Sequence, residues 1–128
     1  MTAVQLAKPA DAEAIAAFAN GSFTHTFGHI YDPADLSIFL AEWNPPDRVR
    51  AQITSDDHDI GLVRDGAGAI LGYIKMGPVD FELPADQPTD SAVELHQLYV
   101  AEAAKGTGIA AALMDRGIAW ARERASIL

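Results

Sequence analysis

A strand that leads through a glycine-rich turn into an apolar helix is the feature of this 128-residue sequence that most limits its fold. The strand covers 93–100, the turn contains Gly106-Thr107-Gly108, and the helix covers 107–124. Glycine lets the backbone come close to a ligand without a Cβ clash, and the free N–H groups at a helix N-terminus attract anions. The pattern therefore predicts a phosphate-binding turn where a sheet meets a helix.

The remaining segments predict a sheet flanked by helices. Asp32 precedes Pro33 as a helix N-cap, and two apolar runs on either side of Asp65-Gly66 are typical of a β-hairpin. The predicted elements are a strand at 4–6, helices at 10–18 and from 33 onward, a candidate further helix at 47–53, hairpin strands at 60–63 and 69–76, a strand at 93–100 and a helix at 107–124. Without the 47–53 segment, the order β-α-α-β-β-β-α predicts a mixed α/β (α+β) fold with a mainly antiparallel sheet and flanking helices. The length fits a single domain over 1–128.

Composition limits the function classes. The net charge of -9 argues against a nucleic-acid partner and leaves basic small molecules or peptides as substrates, or no role beyond solubility. The sequence has no cysteine, which excludes disulfides and thiolate chemistry. No apolar run reaches the roughly 18 residues of a membrane span, and the first residues do not resemble a signal peptide, so a cytoplasmic protein without membrane contact is expected. A metal site is not expected either, because Asp56-Asp57-His58-Asp59 are consecutive and cannot all face one ion, and His58 is predicted to lie on the surface.

The glycine turn fits two kinds of cofactor site. As Gly106-Thr-Gly108-Ile-Ala-Ala111 it has the G-x-G-x-x-G/A spacing of a dinucleotide fingerprint. In a dinucleotide fold, however, the strand enters the first glycine directly, and an acidic residue about twenty positions later binds the ribose. Here residues 101–105 intervene, and the chain ends before any such acid. The dinucleotide interpretation is therefore the weaker one.

The turn and its strand resemble the GCN5-related N-acetyltransferases, the GNAT family. The acetyl-coenzyme A loop of that family has the form Q/R-x-x-G-x-G/A, matched here by Lys105-Gly106-Thr107-Gly108-Ile109-Ala110, with Lys105 in place of Gln or Arg. The segment Glu94-Leu-His-Gln-Leu-Tyr-Val100 stands where the family has its fourth strand, and the likeness extends back over the whole chain. The resemblance implies acetyl-coenzyme A as cosubstrate, bound by residues 105–110. It also implies that main-chain groups of Leu98, Tyr99 and Val100 run beside the pantetheine arm.

Glu94 and His96 are the candidate catalytic residues. A primary alkylamine has a pKa of ~10.4 and must lose a proton before it can attack an acetyl group. Glu94 lies six residues before Val100, where several members of the family place a general base, and His96 is a second candidate or part of a water relay. Simple alternation puts Glu94, His96, Leu98 and Val100 on one face of the strand. The alternatives are a solvated or substrate-orienting Glu94 and a structural His96.

The resemblance also concerns the acceptor and the C-terminal part of the family's fold. Phe23-Thr-His-Thr-Phe27, Tyr31 and Asp35-Leu36 resemble the bacterial spermidine/spermine acetyltransferases, which makes a polyamine the first candidate acceptor, ahead of a peptide or antibiotic amine. The family's C-terminal strands, with the tyrosine that reprotonates the leaving thiolate, are expected to be absent, and the last helix is expected to need cover from further sequence or from a homodimer partner. The resulting hypothesis is an N-acetyltransferase that acetylates a small-molecule primary amine by direct transfer. The alternative is a catalytically incomplete domain that binds acetyl-coenzyme A or a regulatory partner.

Overall fold

The computed structural model of the protein describes residues 3–79 and 93–124. Its helices and strands are, in chain order, β1 (Gln5–Leu6), α1 (Ala12–Phe27), α2 (Pro33–Trp43), α3 (Pro46–Ile53), β2 (Asp59–Arg64), β3 (Ile70–Pro78), β4 (Val93–Val100) and α4 (Ile109–Arg124). Short 3-10 turns precede α1, follow it, and lie between β4 and α4.

The four strands of the described residues form one antiparallel sheet in the order β1-β2-β3-β4. The hairpin β2–β3 turns at Asp65, whose carboxylate accepts the N–H groups of Ala67 and Ala69 at 2.9 Å each. β4 continues the meander as the last strand of this sheet, so one of its sides is open within the described part of the chain. The mixed α/β fold predicted from the sequence is confirmed.

Helices cover both faces of the sheet. Apolar side chains of α1 and α3 form one core with Leu62 and Tyr73, while α4 forms a second core on the opposite face with Ile74 and Met76. The absence of a side chain at Gly72 brings the start of α4 close to β3, since a Cβ there would lie 3.1 Å from both Ile109 and Leu113. This contact holds the glycine turn beside the C-terminal end of β4.

Helix α1 differs from the prediction. α1 continues to Phe27 instead of ending near residue 18, because Phe23 packs its ring on Phe39 and Trp43 of α2 at centroid distances of 4.9 and 5.0 Å. The candidate helix at 47–53 is present as α3. The cap of α2 is confirmed, since the Asp32 carboxylate accepts the N–H of Ala34 at 3.2 Å.

Candidate active site

The glycine turn lies between β4 and α4. Gly106 and Gly108 have φ values of +81° and +88°, which L side chains rarely adopt, and a Cβ on either would point into open space. The Thr107 hydroxyl donates to the carbonyl of Ala104, which turns this side chain back into the loop. The first bond of α4 is from the N–H of Ala112 to the carbonyl of Gly108, so the preceding N–H groups have no acceptor within the helix. The turn thus presents backbone donors next to open space.

That open space is a cavity of about 420 Å³ along the last residues of β4. Its lining includes six of the residues predicted to bind the cofactor, namely Leu98, Val100, Lys105, Gly106, Gly108 and Ala110. The side chain of Ile109, by contrast, is 4% exposed and packs in the core under α4. Any ligand contact of Ile109 is therefore made by its main chain, whereas the N–H of Thr107 donates to the carbonyl of Ala104 at 3.3 Å.

A second cavity, of about 360 Å³, lies on the α1 side of the same strand end and includes Tyr99 in its lining. Its rim carries charge: Glu102 Oε2 lies 2.9 Å from Lys105 Nζ and 3.5 Å from His25 Nε2. The hydrogen bond from Lys105 lowers the pKa of the Glu102 carboxyl. Leu98, Val100 and Lys105 line both cavities, which makes the two spaces neighbours along β4.

A β-bulge interrupts β4 at His96. Lys75 of β3 pairs with Gln97 and the next residue, Met76, pairs with Leu95, so His96 has no opposite residue in the ladder. Because of this extra residue, side chains that would share a face by simple alternation point to opposite faces of the sheet before and after the bulge. The prediction that Glu94, His96, Leu98 and Val100 share one face is therefore wrong.

The corrected faces separate the two groups of predicted site residues. Leu98 and Val100 pack in the α4 core, whereas Glu94 pairs with Gly77, whose side of β3 faces His96 and His58. Glu94 and His96 nevertheless lie together, with His96 Nδ1 3.9 Å from Glu94 Oε2. Their side chains are 22% and 16% exposed, so water reaches both.

The hydrogen bond of His96 to the backbone fixes its tautomer. Nε2 lies 2.8 Å from the carbonyl oxygen of Pro78, and because a carbonyl only accepts, the hydrogen is on Nε2. In the neutral ring, Nδ1 then carries a lone pair directed toward Glu94. Two acceptors form no hydrogen bond with each other, and at 3.9 Å they are placed to share a donor between them, such as a water O–H or an ammonium N–H.

A buried polar network lies next to Glu94 and His96, and it was not predicted from the sequence. Lys75 Nζ donates to Asn44 Oδ1 at 3.1 Å, Asn44 Nδ2 donates to Gln97 Oε1 at 3.0 Å, and the Tyr73 hydroxyl donates to the same Gln97 oxygen. Lys75 and Asn44 are 2% and 1% exposed. The network ties the end of α2 to β3 and to the residue that follows the bulge. A lysine near the end of the apolar run 69–76 was the signal that would have identified it.

Burial changes the titration of this network. It lowers the pKa of Lys75 to about 8, with a further contribution from the charge of Arg48. It also raises the pKa values of Tyr73 and Tyr99 above their usual range. Within the described residues, no group of three or more His, Asp or Glu side chains is arranged to hold a metal ion.

Comparison with known proteins agrees with the fold. The profile of the "Acetyltransferase (GNAT) family" matches residues 13–127. The structure is similar to that of the PaiA N-acetyltransferase from Thermoplasma acidophilum in complex with coenzyme A, with 14% identity and a TM-score of 0.76 over 96% of this chain and 73% of that one. No curated protein sequence shows significant similarity.

Two further solved structures share the fold. One is the aminoglycoside 6'-N-acetyltransferase AAC(6')-Ih from Acinetobacter baumannii, with 14% identity and a TM-score of 0.67 over 96% of this chain and 73% of that one. The other is the ribosomal-protein-alanine N-acetyltransferase from Brucella melitensis biovar Abortus 2308, with 18% identity and a TM-score of 0.60 over 97% of this chain and 74% of that one. In the described part of the chain, the helices are too short or too polar to cross a membrane.

Proposed function

The chain belongs to the GNAT acetyltransferase family, and we propose that it transfers the acetyl group of acetyl-coenzyme A directly to a primary amine of a small molecule. Membership makes the protein an acyltransferase with acetyl-coenzyme A as cosubstrate. What we propose beyond membership is the class of acceptor, the direct transfer and the residues that perform it.

The proposed cofactor site is the groove at the end of β4. The pyrophosphate of coenzyme A binds the main-chain N–H groups of Gly106 and of residues 108–110, where positive φ angles and open space at Gly106 and Gly108 admit a ligand. Lys105, on the rim, adds a positive charge. The pantetheine arm runs beside the main chain of Leu98, Tyr99 and Val100, on the side of β4 that is open in the described sheet.

The observation that carries the proposed chemistry is the 3.9 Å approach of Glu94 Oε2 and His96 Nδ1. An alkylamine of pKa ~10.4 is almost fully protonated near neutral pH and must lose a proton to become a nucleophile. A donor placed between the carboxylate and the imidazole loses its proton to one of them, either directly from the ammonium or through a water. The neutral amine then attacks the acetyl carbonyl, and a main-chain N–H of β4 stabilises the oxyanion of the tetrahedral intermediate. Collapse of this intermediate breaks the carbon–sulfur bond and forms the amide; the nitrogen loses its extra proton, and coenzyme A leaves as a thiolate that takes up a proton from solvent.

The proposed acceptor is a polycationic small molecule, with a polyamine as the first candidate. The net charge of -9 favours basic substrates by electrostatic attraction. A structural neighbour is an aminoglycoside acetyltransferase, and aminoglycosides share with polyamines several primary amines on one small molecule. An antibiotic amine is therefore the second candidate.

The proposal is tested by measuring release of the free coenzyme A thiol with a panel of acceptors. The protein is incubated with acetyl-coenzyme A and with spermidine, an aminoglycoside or a peptide with a free amino group. We expect release above the no-acceptor rate with spermidine or the aminoglycoside. Coenzyme A binding without thiol release for any acceptor would instead identify a binding or regulatory domain.

A further inference from the structure

His58, which the sequence analysis placed on the surface, packs against His96. The two imidazole centroids lie 6.1 Å apart, with the rings tilted by 45°. His58 is half-buried, and its Nδ1 lies 3.2 Å from Ser55 Oγ, which also accepts the N–H of Asp57 at 3.1 Å. The turn between α3 and β2 thus fixes the His58 ring from one side while His96 contacts it from the other.

Gly77 provides the space in which the two rings meet. A Cβ at this position would lie 2.7 Å from His58 Cδ2 and 3.0 Å from His96 Nε2, distances that require one of the rings to shift. The φ of Gly77 is not among the positive values of the described glycines, so its backbone suits any residue. A side chain at position 77 is therefore excluded by the imidazoles and not by backbone strain.

The environment favours the neutral form of His58. Burial lowers its pKa most, and the nearby His96 and Lys75 lower it further, against the opposing charge of Asp57. Glu94, whose Oε2 lies 3.9 Å from His96 Nδ1, is a further ionisable group of this cluster. At neutral pH the His58 ring is thus uncharged, and the His96 ring packs against it.

We propose that His58 is a positioning residue for acetyl transfer: packed in the space left by Gly77, it holds the His96 ring with Nε2 on the Pro78 carbonyl and Nδ1 toward Glu94. This inference rests on the proposed role of Glu94 and His96 in taking the proton of the amine. Without the His58 ring, the His96 ring is free to rotate. Misplacement of a proton acceptor by about 1 Å costs on the order of 10²-fold in rate.

The expected kinetic signature is a loss in kcat without a change in the KM for acetyl-coenzyme A. The glycine turn lies beyond the other end of β4, and Glu94 and Val100, six residues apart in that strand, are separated by roughly 20 Å at ~3.3 Å per residue. A variant at His58 therefore leaves the cofactor groove unchanged.

The direct test is the tautomer of His96 in long-range 1H–15N correlation spectra of the full chain. We expect the Nε2–H tautomer in the wild type, averaged shifts of both tautomers in His58→Ala, and the wild-type pattern in His58→Phe, whose ring refills the space. kcat should fall on the order of 10²-fold in His58→Ala and recover most of this loss in His58→Phe. His29→Gln, in the exposed turn after α1, is the matched histidine control for the spectra.

Gly77→Ala tests the same contact from the opposite side, because the new methyl group displaces the rings without removing either. It should reproduce the His58→Ala spectrum of His96 and its loss in kcat. An unchanged His96 tautomer in both His58→Ala and Gly77→Ala would overturn the inference. Absence of acetyl transfer by the wild type would instead overturn the proposed function, and the spectra separate these two failures because they do not depend on turnover.

Discussion

Glu94 is the single residue on which the proposed chemistry depends most directly. Its carboxylate and the lone pair of His96 face each other across 3.9 Å, at a place that water reaches. In the proposed function, a carboxylate at position 94 takes the proton from an ammonium or a water held between the two groups. An amide of the same shape keeps the packing and loses this ability.

Glu94→Gln should therefore lower kcat by about 10²- to 10³-fold, within the range of general acid–base catalysis, and leave the KM for acetyl-coenzyme A unchanged. Steady-state kinetics with the best acceptor of the panel measure both constants. Glu13→Gln, at an exposed position in the first turn of α1, is the matched control. A kcat within twofold of the wild type would show that Glu94 is not the base.

Lys75 gives the free energy of unfolding a characteristic dependence on pH. Its pKa is about 8 in the folded protein and 10.5 for a free side chain, so the unfolded state binds more protons between these values and stability rises with pH. The cost of burying the charge is about 3 kcal/mol below pH 8 and is relieved as the pH rises through 8. Lys75→Met carries no such cost at any pH.

The difference in unfolding free energy between wild type and Lys75→Met should therefore change by about 2 kcal/mol in favour of the wild type from pH 7 to pH 9.5. Urea denaturation at a series of pH values measures it, and the bond lost to Asn44 only adds an offset that does not depend on pH. Lys8→Met, at an exposed position, is the control. Parallel curves for the wild type and Lys75→Met would contradict the expectation.

At the residue scale, the sequence predicted the members of the candidate site but not how they face one another. Alternation along β4 failed at His96 because a bulge depends on how two strands pair, and the sequence of one strand does not show it. His58 was assigned to the surface from its acidic neighbours, yet it packs on His96 because Gly77 of another strand leaves room. Both errors come from contacts between segments distant in the chain.

At the element scale, the glycine turn is the unit that the proposed function assigns to the cofactor. β4 has the bounds that its apolar and polar pattern predicted, and the turn needs glycine for its positive φ angles. Helix α1 is the element that sequence reasoning described least well. Asn20-Gly21 predicts the end of a helix, but contacts between aromatic rings of α1 and α2 stabilise the helix beyond these residues.

Gly108→Ala should weaken coenzyme A binding by about tenfold or more, which corresponds to about 1.4 kcal/mol. The new methyl group points into the space assigned to the cofactor, and the φ of +88° adds strain of roughly 1–2 kcal/mol for an L residue. Isothermal titration calorimetry measures the affinity. The matched control is Gly66→Ala in the hairpin turn, where a Cβ also meets open space but φ is not positive. Equal affinity for both variants would contradict the placement of the pyrophosphate at this turn.

At the scale of the whole molecule, the two groups of candidate site residues lie on different faces of the sheet. In the proposed function, the cofactor groove lies at the end of β4 beside α4, while Glu94, His96 and His58 surround Gly77 on the opposite face of the sheet. The side chains of β4 change face at its bulge. The order of the elements was accessible from the sequence because it depends on local pattern and turn residues, whereas this division depends on register.

The expected homodimer stays a prediction, and so does a cytoplasmic location. Ile118 of α4 is 41% exposed, which makes it a suitable probe of an interface on that helix. If α4 forms the interface, Ile118→Lys should convert a dimer to a monomer in sedimentation-velocity experiments. Ile38→Lys, at a position that is 61% exposed on α2, should leave the dimer intact. A wild-type protein that is monomeric at all concentrations would exclude the homodimer.

Transfer of a labelled acetyl group tests the central claim most directly. The protein is incubated with acetyl-coenzyme A carrying a 13C-labelled acetyl group and with spermidine, and both the amine and the protein are analysed by mass spectrometry. We expect one labelled acetyl group on a primary amine of spermidine, none on the protein, and loss of the product in Glu94→Gln. Label on the protein chain, or bound coenzyme A with no labelled amine from spermidine or an aminoglycoside, would contradict direct transfer to a polycationic acceptor.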